Sequence, residues 1–290
     1  MQKKSRFLCL HGYGQNSTAF SFVLRPIQKA LKDSCEFIFL NGTNQLTNEN
    51  ENQLTNENQN QLTNENQNQL TNENENQLTN ENENEKRNRN QIGYSWWIGK
   101  NDTNDINRMK NLIMQEYQEI RGYKSRNPKY SQIIQKNEKI DKNKDPSFLN
   151  KNIKGVENSL EYIHDFYNKK GPFYGIIGFS QGAAMSTIFT MKYNRSLDFK
   201  LMILSGNFIL NSIRNSDLMK LTQKNNILFP SLHIIGKKDL VVPPKIQLRA
   251  AEIFQNKSIF YHDGGHLLPR DQNFIDYVVN FIKMNIRKKI

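Results

Sequence analysis

Three polar residues in the second half of the chain have the types and the order that nucleophilic attack on a carbonyl group requires. Ser180 stands at the centre of Gly178-Phe-Ser-Gln-Gly182, and Asp239 and His266 follow it along the chain. A serine hydroxyl is a weak nucleophile until a base accepts its proton and an acidic group orients that base. The sequence therefore predicts a catalytic triad in which Ser180 attacks, His266 accepts the proton and Asp239 orients His266.

The elements on either side of the motif around Ser180 indicate what the motif does. An apolar, β-rich run, 174–179, leads into the motif, and small residues then begin a predicted helix. Gly-x-Ser-x-Gly between a strand and a helix is a sharp turn that exposes a nucleophilic serine at the carboxyl end of a sheet. The five-residue pattern alone also fits an ordinary turn with a solvated serine.

The positions of the other two residues favour the catalytic interpretation. Asp239 follows a predicted strand at 231–235, and His266 follows another at 258–261. Because parallel strands end at the same edge of a sheet, both loops are expected to lie beside Ser180.

A rival base stands close to His266 in the sequence. His262 belongs to the same stretch, His262-Asp-Gly-Gly-His266, but it lies at the end of the predicted strand. His266 follows Gly264-Gly265, which gives it the freedom to reach the serine. His266 is therefore preferred as the base.

Acyl transfer also needs backbone N–H groups that stabilise the oxyanion of the tetrahedral intermediate. Gln181, the residue after the nucleophile, is predicted to supply one from the start of its helix. Tyr13 is predicted to supply the other, because the loop His11-Gly-Tyr-Gly14 follows the first predicted strand and its glycines let the backbone turn inward. His11 is interpreted as a hydrogen-bonding brace of this loop and not as a base.

Strands and helices alternate along the chain outside two polar segments. This alternation indicates a parallel sheet covered by helices on both faces. We therefore expect one α/β domain, 1–290, with an open, doubly wound and mostly parallel sheet. The predicted strands are 6–10, 36–40, 174–179, 199–204, 231–235 and 258–261.

The two polar segments are predicted to be insertions in this domain. The first, 43–91, contains five tandem copies of Asn-Gln-Leu-Thr-Asn-Glu-Asn-(Glu/Gln), starting at Asn44. One leucine in every eight residues buries too little apolar surface to offset the entropy of ordering the chain, so this segment is predicted to be disordered. The second, 121–150, is rich in Lys and Asn and is predicted to lie on the surface.

The charge and the apolar pattern exclude some classes of partner. The formal net charge is +12, but the basic residues are scattered and no nucleic-acid-binding motif accompanies them. No apolar run has the length of a transmembrane helix, and we expect no signal peptide. The protein is expected in the cytoplasm, with the nucleus as a further compartment. The sequence leaves open whether the basic surface binds membranes or acidic partners. It also leaves open the oligomeric state.

The motifs together resemble the FSH-type family of serine hydrolases, which includes the ovarian-cancer-associated homologues and has the α/β-hydrolase fold. The matching stretches are His11-Gly-Tyr-Gly-Gln15, Trp96-Trp97, 171–184, Leu204-Ser-Gly206, 230–236 with Asp239, and His262-Asp-Gly-Gly-His266. The resemblance implies a carboxylesterase or thioesterase that forms an acyl-serine intermediate without a metal or an organic cofactor. It also implies Ser180, Asp239 and His266 as the triad.

Two questions stay open from the sequence. Trp96 and Trp97 either line a pocket for the acyl group or pack in the core, since tryptophan suits both roles. A second hypothesis for the whole chain is a hydrolase-fold scaffold that binds partners through the Asn-rich repeat and does not depend on catalysis. The triad argues against it, because all three positions hold residues that can perform the chemistry.

Overall fold

The computed structural model describes residues 4–46, 92–99, 153–194, 196–214 and 227–287. The strands in these ranges are β1 (Ser5–Leu10), β2 (Cys35–Leu40), β3 (Asn44–Leu46), β4 (Gly93–Ser95), β5 (Ile98–Gly99), β6 (Ile153–Lys154), β7 (Gly175–Phe179), β8 (Leu201–Ser205), β9 (Ser231–Gly236) and β10 (Lys257–His262). The helices are α1 (Ser17–Ala30), α2 (Val156–Lys170), α3 (Gln181–Tyr193), α4 (Asn211–Arg214), α5 (Pro244–Ala251) and α6 (Gln272–Arg287).

Six of the strands form one sheet in which every neighbouring pair is parallel, in the order β10-β9-β8-β7-β1-β2. The chain first adds β2 on one side of β1 and later returns to the other side, where β7 pairs with β1. In open parallel sheets, ligands bind at the carboxyl ends of the strands where the order reverses in this way. The predicted α/β class is confirmed, and the crevice between the ends of β1 and β7 is the expected place for a site.

Each face of the sheet has its own apolar core. Successive residues of β1 alternate between the two faces, with Leu8 and Leu10 in one core and Phe7 and Cys9 in the other. Helices α2, α3 and α5 cover the first face, and α1 and α6 cover the second. Among the described residues, no helix has both the length and the apolar character that crossing a bilayer demands.

Two short antiparallel ribbons stand at the bases of the long polar stretches of sequence. β3 pairs with β4 through Asn44–Ser95, Gln45–Tyr94 and Leu46–Gly93, and β5 pairs with β6. Residues 44–46 thus form a strand at the start of the segment 43–91 that the sequence predicts to be disordered. The partner strand pairs with their backbone groups on one side, and local composition does not reveal that partner. The remainder, 47–91, and the second predicted insertion, 121–150, lie outside the described residues.

Candidate active site

Ser180 occupies the turn between β7 and α3. Its backbone has φ 52° and ψ −120°, and within the described ranges it is the one non-glycine residue with a positive φ. Holding a residue with a β-carbon in such a conformation costs about 1–3 kcal/mol, so its surroundings must maintain it. The Ser180 N–H donates to Ser205 O at 2.8 Å, and Ser180 O accepts from the N–H groups of Ala183 and Ala184 at 2.9 and 3.0 Å. These bonds hold the hydroxyl at the carboxyl end of the sheet.

The two glycines that flank Ser180 are required by close packing. A β-carbon at Gly178 would lie 2.6 Å from Ala183 Cα, and one at Gly182 would overlap the carbonyl oxygens of Leu10 and His11. The first turn of α3 therefore lies directly against the end of β1. This contact brings the turn around the serine next to the glycine-rich loop that follows β1.

The structure brings Ser180, His266 and Asp239 into one hydrogen-bonded chain. His266 Nε2 lies 2.8 Å from Ser180 Oγ, and His266 Nδ1 lies 2.8 Å from Asp239 Oδ2. All three residues are buried. Because an ionised carboxylate only accepts hydrogen bonds, Nδ1 carries the ring proton and Nε2 is left to accept from the serine hydroxyl. An arrangement of this kind can take the proton from Ser180 Oγ as that oxygen attacks a carbonyl carbon.

The Asp239 carboxylate is held by donors on both of its oxygens. Oδ1 accepts from the backbone N–H groups of Val241 and Val242 at 3.0 and 2.7 Å. Oδ2 accepts from Gln247 Nε2 at 2.9 Å as well as from His266. Gln247 is buried on α5, and the same Nε2 also donates to Val242 O at 2.7 Å. The carboxylate is therefore prevented from rotating away from His266.

The His266 ring lies against an aromatic side chain and a glycine. Its centroid lies 5.0 Å from that of Phe179, the last residue of β7. Gly206 also lies against the ring; it has φ 61°, and a β-carbon there would lie 2.8 Å from His266 Cε1. A larger residue at position 206 would therefore displace the imidazole from Ser180.

His262, the rival base, has a different environment. Its Nδ1 accepts a hydrogen bond from the Gly264 N–H at 3.2 Å, within its own loop. Burial lowers the pKa of the His262 imidazole, and the nearby carboxylates of Asp239 and Asp263 oppose that shift. The hydrogen bond to Ser180 is made by His266, not by His262.

His11 is engaged on both sides of its ring. Nε2 accepts from the Gly42 N–H at 3.0 Å, so Nδ1 carries the proton and donates to Gly12 O at 2.7 Å. Burial lowers the pKa of His11 to about 4, although the bond to Gly12 O acts in the opposite direction. His11 thus links the loop after β1 to the chain after β2. This agrees with the hydrogen-bonding role that the sequence predicts for it.

The two predicted oxyanion donors lie at the expected ends of their elements. Tyr13 belongs to the loop after β1, and Gln181 is the first residue of α3. The Gln181 side chain is buried and makes two bonds to the tryptophan pair: Oε1 accepts from the Trp96 N–H at 2.8 Å, and Nε2 donates to Trp97 O at 2.9 Å. The sequence predicts a role for the backbone of Gln181 but gives no sign of this role of its side chain.

The two tryptophans differ in what they contact. Trp96 is completely buried and its indole N–H donates to His11 O at 2.8 Å. Trp97 is 6% exposed and meets Phe208 edge to face, with ring centroids 6.1 Å apart. Both tryptophans therefore belong to the buried apolar core of this face of the sheet, and they differ in their partners.

Two further residues of the site were not found from the sequence. A glutamine on a helix, such as Gln247, carries no local signal that it faces a carboxylate eight positions earlier. Gly206 belongs to the Leu204-Ser-Gly206 motif, but only the packed imidazole shows why glycine is needed there. Within the described ranges, no group of three or more His, Cys, Asp or Glu side chains is arranged to hold a metal ion.

Comparison with known proteins finds relatives by sequence and a solved structure with a similar fold. The rhodanese-like domain-containing protein 6 of Arabidopsis thaliana is 32% identical over 146 residues, which cover 48% of this chain but only 24% of that protein. An esterase of Caenorhabditis elegans is 22% identical over 294 aligned positions, which cover 100% of this chain and 97% of that protein. Among solved structures, the acyl-protein thioesterase 2 of Zea mays matches with a TM-score of 0.50 at 14% identity, over 98% of this chain and 95% of its own, which shows a shared fold.

The pattern of the family described as Serine hydrolase (FSH1) matches residues 1–278. That range contains both predicted insertions and every residue of the hydrogen-bonded chain around Ser180. The match confirms the resemblance inferred from the motifs: the chain belongs to the serine hydrolase (FSH1) family.

Proposed function

We propose that this protein hydrolyses carboxylic esters or thioesters through an acyl-serine intermediate on Ser180. The observation that carries the proposal is the hydrogen-bonded chain Ser180–His266–Asp239, which starts at a strained turn at the switch point of the sheet. Membership of a serine hydrolase family supports the same reaction class. The rhodanese-like relative is matched over only 24% of its length, so the proposed substrate class rests on the site.

The first half of the proposed reaction forms the acyl-enzyme. Ser180 Oγ attacks the carbonyl carbon while its proton passes to His266 Nε2. The carbonyl oxygen becomes an oxyanion, and the backbone N–H groups of Tyr13 and Gln181 donate to it. When the tetrahedral intermediate collapses, the bond to the alkoxide or thiolate breaks, and the leaving group receives the proton from His266.

The second half releases the acid and restores the serine. Water takes the place of the leaving group and gives its proton to His266 Nε2 as its oxygen attacks the acyl carbon. Collapse of the second tetrahedral intermediate returns that proton to Ser180 Oγ and frees the carboxylic acid. Asp239 keeps its charge throughout and stabilises the imidazolium through the bond to Nδ1.

We propose that Trp97 and Phe208 form an apolar wall for the acyl group. Trp97 O is bonded to the side chain of Gln181, the neighbour of the nucleophile. Phe208 follows Gly206, which lies against the His266 ring. The two aromatic rings are in contact with each other and both are buried in the apolar core, so the proposed wall is the edge of that core. Trp96 is assigned to packing because its indole N–H is bonded to His11 O and its ring is completely buried.

The cytoplasm is the proposed compartment. Cys9 and Cys35 are both free and buried. Burial raises the pKa of each thiol, which keeps them protonated and unreactive. Unpaired cysteines are typical of proteins from reducing compartments.

A fluorophosphonate probe tests the proposed function, since it reacts only with an activated serine. The folded protein should be labelled at pH near 8, and Ser180→Ala should not be labelled. A series of p-nitrophenyl esters and acyl-CoA thioesters of increasing chain length then identifies the acyl group and the leaving group. If the folded protein is not labelled, the proposed hydrolase activity is wrong and the scaffold hypothesis is favoured.

A further inference from the structure

Both proposed oxyanion donors lie beyond the part of the sheet that could align them. The last residue pair between β1 and β7 is Leu10 with Gly178. Tyr13 and Gln181 each come three residues after that pair, on two different elements. The function of an oxyanion hole requires its two N–H groups to be held within about 0.5 Å of the productive geometry. The packing of Gly182 against Leu10 O and His11 O brings the two elements together, and further bonds are needed to hold both N–H groups in register.

One short segment, residues 94–97, is bonded to both elements. On the side of the loop after β1, the Tyr94 N–H donates to Gln15 O at 2.8 Å, and the Gly14 N–H donates to Tyr94 O at 3.0 Å. The Trp96 indole N–H donates to His11 O at 2.8 Å. These three bonds tie the segment to residues before and after Tyr13.

On the side of the serine turn, the segment is held by the side chain of Gln181. Its amide pairs with the Trp96 N–H and with Trp97 O, at 2.8 and 2.9 Å, as a neighbouring peptide group would. Gln181 is only 5% exposed, so these bonds are shielded from competition with water. The backbone of the residue that donates to the oxyanion is thus anchored by its own side chain.

We propose that the segment 94–97, which we call the brace, positions the N–H groups of Tyr13 and Gln181 relative to each other, and that the Gln181 side chain is its link to the serine turn. The inference rests on the proposed function, because it assigns these two residues to the oxyanion. Gln181 then has two separate parts in the site: its backbone N–H contacts the reacting oxygen, and its side chain is a positioning group.

The first test is Gln181→Met, which has a similar length but cannot pair with a peptide group. We expect kcat per titrated active site to fall by about 10- to 100-fold, since an error of about 1 Å in the position of a catalytic group has an effect of this size. KM should change little, because the oxyanion exists only in the transition state. Affinity for a trifluoromethyl ketone, which forms a tetrahedral adduct with the serine, should fall by a similar factor. Gln28→Met is the matched control, because it loses a side-chain bond to Ser21 O within α1.

The second test is Gln181→Glu, which separates hydrogen bonding from packing. A neutral carboxyl group can accept from the Trp96 N–H and donate to Trp97 O, as the amide does, whereas a carboxylate only accepts. The ratio of the activity of this variant to that of the unmodified protein should therefore rise as the pH is lowered. A ratio that is independent of pH would show that the hydrogen bonds at Gln181 do not matter for catalysis.

Amide hydrogen exchange measures whether the hydrogen bonds of the brace are intact, and it does not depend on turnover. In Gln181→Met the N–H groups of Gly14 and Trp96 should exchange faster, while those of β8 and β9 stay protected. Unchanged exchange at Gly14, or a normal kcat per titrated site, would overturn the brace and leave the proposed function standing. Turnover by Ser180→Ala would overturn the proposed function, and the exchange result would still decide whether the brace couples the two elements.

Discussion

The Gln247 amide and the His266 imidazole donate to the same oxygen of Asp239, at 2.9 and 2.8 Å. The other carboxylate oxygen accepts two backbone N–H groups, so the carboxylate has four donors in all. A carboxylate has about four lone-pair positions, and here each one has a partner. The direction of the Asp239–His266 bond is therefore determined by Gln247 as well as by the loop.

Gln247→Leu should lower kcat by about 10-fold, because Asp239 Oδ2 loses a donor that holds it towards His266, and a positional error of about 1 Å at a catalytic group can cost about 100-fold. The loss of a neutral donor leaves the carboxylate to interact more strongly with the imidazolium form of His266. The rise of kcat/KM with pH should therefore move to higher pH, a change that destabilisation alone would not produce. Gln272→Leu is the control, since it removes an amide–carboxylate bond to Asp276 on the exposed side of α6. A pH profile that does not move would contradict the role given to Gln247.

The triad itself predicts a graded loss of activity. Ser180→Ala should abolish both turnover and probe labelling. Asp239→Asn should stay folded but lose about 10⁴-fold in turnover, because the imidazole then adopts the wrong tautomer. The unmodified protein should gain activity as the pH rises, because His266 Nε2 can accept the serine proton only when the imidazole is neutral. Steady-state kinetics on a p-nitrophenyl ester, with circular dichroism as the check of folding, measures all three expectations.

The assignment of the base is tested by comparing two histidines of one loop. His266→Ala should be inactive, whereas His262→Ala should keep most of its activity, because His262 Nδ1 is bonded to the Gly264 N–H and not to Ser180. Both variants should keep their circular dichroism spectra. Equal inactivity of the two folded variants would show that His262 takes part in the proton transfer.

Two buried histidines predict a loss of stability in acid. Burial lowers the pKa of His11 to about 4 and that of His233 to about 3, from the ordinary value of 6.5. The unfolded chain therefore binds more protons than the folded protein below pH 6.5. The stability contribution is complete above that pH and is lost as the pH falls through the window from 6.5 towards 4 and 3. At pH 5 the loss should be roughly 2 kcal/mol for each histidine.

His233→Phe measures this effect for one of the two. Urea unfolding at pH 7 and pH 5 should show a smaller difference between the two free energies of unfolding than in the unmodified protein. Ser231→Ala is the comparison, because it removes the hydroxyl near His233 Nε2 but keeps the titrating imidazole, so it should retain most of the difference between the two values. If the difference is the same in His233→Phe and in the unmodified protein, His233 is not the source of the acid sensitivity.

The sequence by itself determined the strand–helix alternation, the family and the order Ser180, Asp239, His266. These features are local, since a strand leading into Gly-x-Ser-x-Gly depends on residues that are adjacent in the chain. The α/β class and the family are confirmed by the sheet and by the family match. The roles of the triad, the oxyanion donors and the acyl wall stay predictions until the variants are measured.

Only the tertiary structure decided which side chains support those residues. Gln247 meets Asp239 because the turn into α5 folds back on the end of β9, and Gln181 meets Trp96 across 85 positions of sequence. The ordered strand at 44–46 likewise depends on a partner strand at 93–95. Hydrogen bonds between distant residues leave no periodicity in the sequence. Residues that are distant in the sequence form these hydrogen bonds only after the sheet, the serine turn and the glycine-rich loop have packed together.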